Sequence, residues 1–542
     1  MKIILTGLVT IGFALSAANA QEIKENVEPL SSKSKKGFMY DVSKDENGNC
    51  NLIYKIKSDK KSDEVSFEQY SFDKNLKFLT TTDVKEKKEQ KEDVERISYY
   101  ANVGGNSSFS VLSMKLKLNK VVALKTWNHE KQIYIIKKII SNETIKPRND
   151  DGKVYYGYAS YESEDIAKSN VLVIAKTETK DKNQADKFQI LMFNNNLELK
   201  EMPIDLNGSF SLVYCQQMPS EDVVVVFAPN KGAKDVTKYV YYQIGIEGNI
   251  KNKVEFKSPA SALFITNAYE NASNIYFFGT SAKTNDAFAE MYSEYAPIFN
   301  PGAGAEDGNN LKDIKWRKHL EDKMDNFHLL KFSASQLAFA STTPVAEFKS
   351  KFKTAPGDKG ASAYKGKKFY VENFFVTEAE DYLVAGQLTG SVKMGTENRV
   401  DTYEDIVCFH FDKTGSLKAQ YGIGKMNNDK KSEIFDMTQK FYSSADGKSL
   451  YWNLMEIKGV KGYESFLDAL AGNSVLYPLF FPRVVKIDLG TASMGAVKVL
   501  GDEKYFLRKD FPGIVDPKER SITYIGHDED GKNIWISKLM IP

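Results

Sequence analysis

The feature that most constrains this chain is a hairpin pattern that recurs along it. Its clearest copy is Phe441–Trp452, FYSSADGKSLYW, and a second copy lies near the end at Tyr524–Ile536, YIGHDEDGKNIWI. Apolar residues that alternate with polar ones predict half-buried strands, and Asp-Gly supplies the positive φ angles that a tight turn needs. The chain is therefore expected to be built from antiparallel hairpins.

Two types of hairpin alternate along the sequence. The first type is found at Met39–Tyr54, Tyr156–Ala175, Tyr214–Ala228, Ile265–Gly279, Val371–Gly386, Phe441–Leu454 and Tyr524–Leu539, with a further candidate within Ile97–Trp127. The second type is found at Phe67–Asp83, Ile133–Ile145, Phe188–Ile204, Tyr239–Val254, Leu329–Pro344, Val407–Tyr421 and Val484–Val497. This alternation predicts a repeating unit of four antiparallel strands.

A single four-stranded sheet cannot bury both of its faces, whereas sheets packed around an axis can. The predicted fold class is all-β: a single β-propeller of about seven four-stranded blades, with six or eight left open. A pair of β-sandwich domains is the alternative. The last hairpin has no partner after it, so we expect the two ends of the chain to pair and close the ring.

The first 20 residues have the features of a secretory signal peptide: Met1-Lys2, an apolar run from Ile3, and Ala18-Asn19-Ala20 before Gln21. The apolar run is shorter than the roughly 20 residues that span a bilayer. We expect cleavage near Ala20/Gln21, no membrane span, and a periplasmic location, with the cell surface or secretion as alternatives. Residues 21–35 are expected to be a flexible tail, and residues 36–542 the propeller.

Three insertions, at 284–326, 345–370 and 459–483, interrupt the repeat. In the first, the spacing of Trp316, Leu320 and Met324 predicts one face of a helix. In the third, Val475–Pro482, VLYPLFFP, contains two prolines that argue against a central strand. Such apolar insertions either fold back or dock a partner. The predicted partner-binding residues are the large apolar ones: Leu476, Tyr477, Leu479, Phe480, Phe481, Tyr292, Tyr295, Phe299 and Trp316.

No catalytic, cofactor or metal site is predicted. The five histidines form no cluster; His328 and His410 lie among strand residues, as expected for core packing. The three cysteines, Cys50, Cys215 and Cys408, are far apart, and their spacing leaves open whether any two form a disulfide. The chain has 74 Lys and Arg residues and 72 Asp and Glu residues, so its net charge is close to zero. Such a balance gives no overall positive potential that would attract nucleic acid.

At Ser444–Trp452 and Asp528–Trp535 the chain resembles the TolB-type propeller repeat, in which Asp-Gly-Lys precedes an aromatic strand. The composition, rich in Lys, Asn, Tyr and Phe, is similar to that of envelope proteins of Bacteroidota-like bacteria. The resemblance implies a non-enzymatic periplasmic propeller that binds an envelope protein, such as an outer-membrane translocon or importer, and that is a monomer outside this complex. The alternative is a glycan-binding or glycan-degrading enzyme with an axial carboxylate site.

Overall fold

The structure, a computed structural model, describes residues 23–56, 64–87, 93–101, 109–117, 153–161, 170–177, 185–194, 199–283, 286–291, 319–320, 323–358, 360–394, 398–426, 432–463, 475–507 and 513–542. The fold is all-β, and its strands form mainly antiparallel sheets, four of which contain four strands in the described ranges. Within these ranges, no helix is long and apolar enough to cross a lipid bilayer.

The sheets are numbered in chain order, and one strand, β1 (Ile23–Pro29), precedes them. Sheet 1 contains β2 (Phe38–Lys44), β3 (Cys50–Lys55), β4 (Glu64–Phe72) and β5 (Phe78–Lys87). Sheet 2 contains β6 (Asp93–Ala101) and β7 (Phe109–Lys117). Sheet 3 contains β8 (Lys153–Tyr161), β9 (Asn170–Thr177), β10 (Lys187–Asn194) and β11 (Leu199–Ile204). Sheet 4 contains β12 (Phe210–Gln217), β13 (Val223–Pro229), β14 (Lys238–Ile244) and β15 (Ile250–Lys257).

The later sheets carry additions. Sheet 5 contains β16 (Phe264–Asn271), β17 (Asn274–Ser281), β19 (Asn326–Ser333) and β20 (Gln336–Pro344), and the connection after β17 holds a short helix, Phe288–Met291. Sheet 6 contains β22 (Phe369–Val376), β23 (Tyr382–Met394), β24 (Asn398–Phe411) and β25 (Leu417–Ile423), with β18 (His319–Leu320) beside β22 and β21 (Phe352–Thr354) beside β25. Sheet 7 contains β26 (Gln439–Ser443), β27 (Ser449–Tyr463), β28 (Val475–Asp488), β29 (Ser493–Met494) and β30 (Lys498–Val499). Sheet 8 contains β31 (Tyr505–Leu507), β32 (Ile514–Asp516), β33 (Ser521–Asp528), β34 (Asn533–Met540) and β1.

The expectation of four-stranded antiparallel units is confirmed, and the expectation of seven units is not. Eight sheets are present in the described ranges, and sheet 2 has two strands there. The uncertain hairpin within Ile97–Trp127 accounts for the difference, because β6 pairs with β7 at this place. The predicted hairpin Ile133–Ile145 lies outside the described residues.

Neighbouring sheets share hydrophobic cores. Continuous clusters of buried side chains join sheet 3 to sheet 4, sheets 4 and 5 to sheet 6, sheet 6 to sheet 7, and sheet 7 to sheet 8. A further cluster joins sheet 8 to sheet 1, through Leu52 and Ile536 among others. Each sheet in this series thus buries its faces against the sheets that flank it, which is how a single antiparallel sheet can be made stable.

The two ends of the described chain pair, as expected from the unpartnered last hairpin. Strand β1 runs antiparallel to β34 from the pair Ile23–Leu539 to the pair Pro29–Asn533. The prediction of a flexible tail over residues 21–35 is therefore wrong for this strand. Its sequence, IKENVEP, has few apolar residues because β1 lies at the edge of sheet 8, where most of its side chains are only partly buried.

The first strand of several sheets carries a bulge near its third or fourth residue. The bulge occurs in β2, β8, β12, β16 and β22. In sheets 3, 5 and 6, the last residue that pairs before the bulge has a small residue of the second strand as its partner: Ala175, Gly279 and Gly386. A Cβ atom on Gly386 would lie 1.9 Å from the carbonyl oxygen of Tyr370. The bulge therefore brings the two backbones close together and redirects the following side chains.

Where the structure describes the three predicted insertions, each contains a strand or a short helix. Residues 475–482 belong to the long strand β28, with Pro478 opposite Val460 and Pro482 opposite Met455. The expectation that the two prolines argue against a central strand is consistent with the structure: among the described residues, 475–482 pair with β27 alone, at an edge of the sheet. The helix predicted through Trp316 is wrong at Leu320, which lies in β18 opposite Phe369. The segment after sheet 5 contains a 3-10 helix, Val345–Lys351, and then β21.

The three cysteines are buried free thiols in three different sheets. Burial raises the pKa of Cys50 to about 11 and that of Cys215 to about 12, and it raises the pKa of Cys408 as well. Thiols with such raised pKa values form little thiolate near neutral pH, so we expect them to be chemically inert in the folded protein.

Candidate functional site

The first strands of sheets 5, 6 and 7 lie side by side at the same level. Tyr269 of β16 contacts Phe375 of β22, with ring centroids 5.4 Å apart, and Phe375 in turn contacts Phe441 of β26 at 5.7 Å. The side-chain amide of Asn373 donates a hydrogen bond to the carbonyl oxygen of Gln439 at 2.9 Å. These contacts fix the register between separate sheets, and the amino-terminal end of β22 and the segment before β26 carry polar residues.

A cluster of tyrosines and carboxylates lies at this end of sheets 6 and 7. The phenol of Tyr370 donates a hydrogen bond to Asp436 at 3.3 Å, and the ring of Tyr370 meets that of Tyr403 edge to face at 5.2 Å. Glu372 is the extra residue at the bulge of β22. The bulge thus adds a second carboxylate to the surroundings of the two phenols.

Both phenols are held in the protonated form. Burial raises the pKa of Tyr370 far above its ordinary value, and the carboxylates of Glu372 and Asp436 raise it further. Burial also raises the pKa of Tyr403, with further contributions from Asp436, Asp401 and Glu372. Each phenol is therefore a hydrogen-bond donor at every physiological pH, and the carboxylates beside them are the proton-accepting groups.

Lys425, which follows β25, extends this cluster. Its ammonium nitrogen donates a hydrogen bond to the carbonyl oxygen of Tyr403 at 2.9 Å. Burial lowers its pKa, although nearby carboxylates, with Glu433 and Glu456 foremost, act in the opposite direction. A lysine whose pKa is lowered carries a larger fraction of neutral amine near pH 7 than an exposed lysine does.

The backbone on both sides of Lys425 is held by groups from other segments. Asp358 accepts a hydrogen bond from the N–H of Gly424 at 2.7 Å, and Glu456 accepts one from the N–H of Met426 at 2.6 Å. Arg483 donates to the carbonyl oxygen of Gly424 at 3.2 Å and forms an ion pair with Glu456. Both members of this pair are almost completely buried. The position of Lys425 is therefore set by the long hairpin β27–β28 of sheet 7.

The predicted partner-binding residues do not belong to this cluster, and those that the structure describes differ in burial. Phe481 is 1% exposed, so almost none of its side chain is accessible to a partner. Leu479 and Phe480 are half-buried in β28, and Leu476 and Tyr477 lie in the same strand. Tyr292, Tyr295, Phe299 and Trp316 lie outside the described residues. The prediction that these residues bind a partner therefore stays a prediction.

The two histidines expected in the core are buried there. His328 lies between the hydroxyls of Ser281 and Thr342, at 2.8 and 3.0 Å. His410 contacts the hydroxyl of Tyr421 at 3.0 Å. No group of three or more His, Cys, Asp or Glu residues is placed to hold a metal ion in the part of the chain that the structure describes.

The site could not have been found from motifs, because its residues come from separate segments. Asp436 lies 66 residues after Tyr370 in the sequence, and Lys425 lies in the connection between β25 and β26. One sequence signal was missed: Ala385-Gly386-Gln387 and Phe278-Gly279-Thr280 share a glycine before a polar residue within the second strands of their sheets. That repeat marks the bulged end of the sheets, where Glu372 lies.

Comparison with known proteins gives distant structural likeness only. No protein-family model matches the chain, and no curated protein matches it. Among solved structures, it is similar to the lignostilbene dioxygenase of Pseudomonas brassicacearum, at 10% identity and a TM-score of 0.28, over 97% of this chain and 94% of that one. A variant of the Synechocystis apocarotenoid oxygenase gives 9% identity and a TM-score of 0.26, over 89% and 94%. An inactive virginiamycin B lyase from Staphylococcus aureus is 8% identical, with a TM-score of 0.24, over 96% of this chain and 100% of that one.

These comparisons correct one expectation. The proteins named are enzymes, so the expectation of a non-enzymatic binding subunit of the cell envelope is not kept; the glycan alternative is not tested by them. TM-scores this low transfer no reaction, so oxygenase and lyase chemistry are not assigned to this chain. The TolB-type resemblance is untested by these comparisons and stays a prediction.

Proposed function

We propose that the protein is an enzyme that performs acid–base chemistry at the cluster of Tyr370, Glu372, Tyr403 and Asp436. The observation that carries this proposal is the hydrogen bond from the buried phenol of Tyr370 to Asp436, with Glu372 brought in by the bulge. Clusters of ionisable groups whose pKa values are strongly shifted are more frequent at active sites than elsewhere. A β-bulge interrupts regular strand pairing, and bulges often lie next to active sites.

In the proposed reaction, a carboxylate of Asp436 or Glu372 takes a proton from the substrate. The phenols of Tyr370 and Tyr403 stay protonated and stabilise negative charge by donating hydrogen bonds, as neutral donors do in oxyanion-binding sites. General acid–base catalysis of this kind contributes a factor of about 10²–10⁴ to a rate. Reactions within its reach include hydrolysis, elimination and proton transfer at carbon.

Paired variants test the proposal. Purified protein is screened against activated esters, lactones and carbonyl acids, and the best substrate is then assayed with Asp436→Asn and Glu372→Gln. We expect kcat to fall about 100-fold with KM little changed, because the proton acceptor is lost. Glu378→Gln is the matched control, since Glu378 is exposed beyond the other end of β22. Equal rates for all variants would contradict the proposal.

The architecture and location are proposed on separate grounds. We propose that sheet 1 and sheets 3 to 8 are blades of one propeller, because their cores join in sequence from sheet 3 through sheet 8 to sheet 1. We also propose export and cleavage near Ala20/Gln21, on the basis of the signal-peptide pattern. Mass spectrometry of the amino-terminal peptide of protein recovered from a periplasmic fraction tests the cleavage; an intact Met1 peptide there would contradict it.

A further inference from the structure

Sheet 6 contains a second bulge, between β23 and β24, at the level of the acid–base cluster. One residue of β23, Leu388, lies opposite two residues of β24, Glu404 and Asp405. The bulge begins beside Gln387, which is the direct partner of Tyr370 in the neighbouring strand β22. An extra residue in a bulge is left out of the regular ladder, so its backbone groups need other partners.

The side-chain amide of Gln387 joins this bulge to the segment before β26. Its Nε2 donates a hydrogen bond to the carbonyl oxygen of Glu404 at 3.1 Å, and its Oε1 accepts one from the N–H of Met437 at 2.7 Å. Both partners are backbone groups, one only an acceptor and the other only a donor, so they define which end of the amide is oxygen. Gln387 is 0% exposed, and water therefore does not compete for either bond.

Each of these two bonds lies one residue away from a member of the cluster. Glu404 follows Tyr403 in the sequence, and Met437 follows Asp436. The N–H of Tyr403 also donates to the carbonyl oxygen of Glu433 at 2.7 Å, so the same two segments are joined a second time. One buried amide thus links the strand that carries the second phenol to the segment that carries the carboxylate.

The carboxylate needs such support because it lies outside regular structure. Asp436 belongs to the connection before β26, and no strand ladder holds it there. The oxygens of Tyr370 and Asp436 are 3.3 Å apart, so a separation greater by roughly 0.5 Å would break their hydrogen bond. Reacting groups must be held to about this precision by the residues around them.

We propose that Gln387 is the positioning residue of the cluster and holds the carboxylate of Asp436 within reach of the phenols of Tyr370 and Tyr403. Gln387 acts through backbone groups on either side and takes no part in proton transfer itself. This inference rests on the proposed function, because it concerns the geometry of the same side chains. A positioning role predicts an effect on turnover that disappears once the carboxylate is removed.

A double-mutant cycle tests this role with the substrate selected in the screen. Gln387→Met keeps the length of the side chain and removes both bonds. We expect kcat to fall about tenfold with KM little changed, because a small displacement of a reacting group has an effect of this order. In the Asp436→Asn background the same substitution should change kcat less than about twofold. Equal factors in the two backgrounds, or an unchanged kcat in Gln387→Met alone, would overturn the inference.

Hydrogen exchange measures the position of the segment directly. In overlapping peptides analysed by mass spectrometry, the amide of Met437 should exchange faster in Gln387→Met than in the native chain. Gln387→Glu keeps an oxygen for that N–H but, while it is ionised, has no hydrogen for the carbonyl oxygen of Glu404. It should preserve the slow exchange and lower kcat by a smaller factor. If Gln387→Met does not fold, Gln387→Glu takes its place in the cycle, and a native kcat would then overturn the inference.

Gln243→Met, in sheet 4, is the matched control for a loss of stability alone. The amide of Gln243 likewise donates one hydrogen bond, to Asp222 at 2.7 Å, and accepts one, from Asn252 at 2.8 Å. This variant should lower the melting temperature and leave kcat unchanged.

The variants also separate this inference from the proposed function. If Asp436→Asn lowers kcat and Gln387→Met does not, the positioning role fails and acid–base catalysis stands. If Asp436→Asn leaves kcat unchanged, the proposed function fails and the positioning role fails with it.

Discussion

Single buried residues in this protein are held by specific partners, and His328 is a clear case. Its ring is 1% exposed and lies between two hydroxyl groups, which a neutral imidazole can satisfy as one donor and one acceptor. Burial lowers its pKa from 6.5 to about 4. The histidine therefore belongs to the core in its neutral form, and protonation opposes folding.

The dependence of stability on pH should show the effect of protonating His328. Because the pKa in the folded state lies below that in the unfolded state, the unfolded chain binds the proton first as the pH falls below 6.5. Stability should therefore decrease between pH 6.5 and 4, by up to about 3 kcal/mol. Urea unfolding over this range should show a shallower slope for His328→Gln than for the native chain; equal slopes would contradict the assignment.

Gly386 tests the close approach of backbones at the bulge of sheet 6. Gly386→Ala would place a Cβ atom 1.9 Å from the carbonyl oxygen of Tyr370, so a strand must move. We expect a loss of about 3 kcal/mol in the free energy of unfolding, typical of severe overpacking. Gly459→Ala is the matched control, because no atom lies within 4 Å of the added Cβ. Similar melting temperatures for both variants would argue against the tight approach.

Among elements, the hairpin β27–β28 has the most consequences for the site. It is longer than the hairpins of sheets 3 and 4, and it contributes both members of the buried pair Glu456–Arg483. The pair reaches out of sheet 7 to the end of β25 in sheet 6. The hairpin predicted as an insertion for docking is thus a support for a neighbouring sheet.

Removing one member of that pair should lower the free energy of unfolding strongly. Arg483→Met leaves the carboxylate of Glu456 buried without its counter-ion, and we expect a loss of about 3–5 kcal/mol. The double variant Glu456→Gln/Arg483→Met should recover much of this loss, since no charge stays buried. Lys532→Met, at the exposed pair with Asp530, should cost less than about 1 kcal/mol. Urea unfolding of the four proteins gives the comparison, and additive losses in the double variant would contradict the pairing.

Sequence patterns predicted the elements better than their arrangement. Alternation and the Asp-Gly turn located β26 and β27, because both signals depend on neighbouring residues alone. Strand β1 was missed, since its partner is near the other end of the chain and its own sequence is polar. The site was missed for the same reason: the contact of Tyr370 with Asp436 depends on how two sheets pack, which no local pattern specifies.

In the whole molecule, sheets 1 and 8 meet where the ends of the chain come together. Lys44 of sheet 1 forms an ion pair with Asp516 of sheet 8 at 2.7 Å, and Lys538 donates to the carbonyl oxygen of Lys74 at 2.9 Å. Hydrogen bonds from the backbone of Glu519 and then from Lys44 lower the pKa of Asp516 to about 2. Charged groups thus reinforce an interface whose centre is apolar.

This interface should weaken in acid. The pKa of Asp516 is lower in the folded state, so its contribution is complete above its ordinary value of 3.8 and is lost as the pH falls toward 2. Asp516→Asn should lower the free energy of unfolding at neutral pH by about 1 kcal/mol and have little effect near pH 2. Urea unfolding followed by circular dichroism at both pH values tests this; a loss that is independent of pH would contradict it.

The pairing of β1 with β34 also sets an order of events during synthesis. The segment from Ile23 emerges from the ribosome about 500 residues before its partner from Asn533. Hairpins such as β26–β27 can form within microseconds of emerging, whereas a contact between distant segments waits for loop closure across the whole chain. Strand β1 therefore waits unpaired while the intervening sheets are synthesised, and sheet 8 stays incomplete until β34 has emerged.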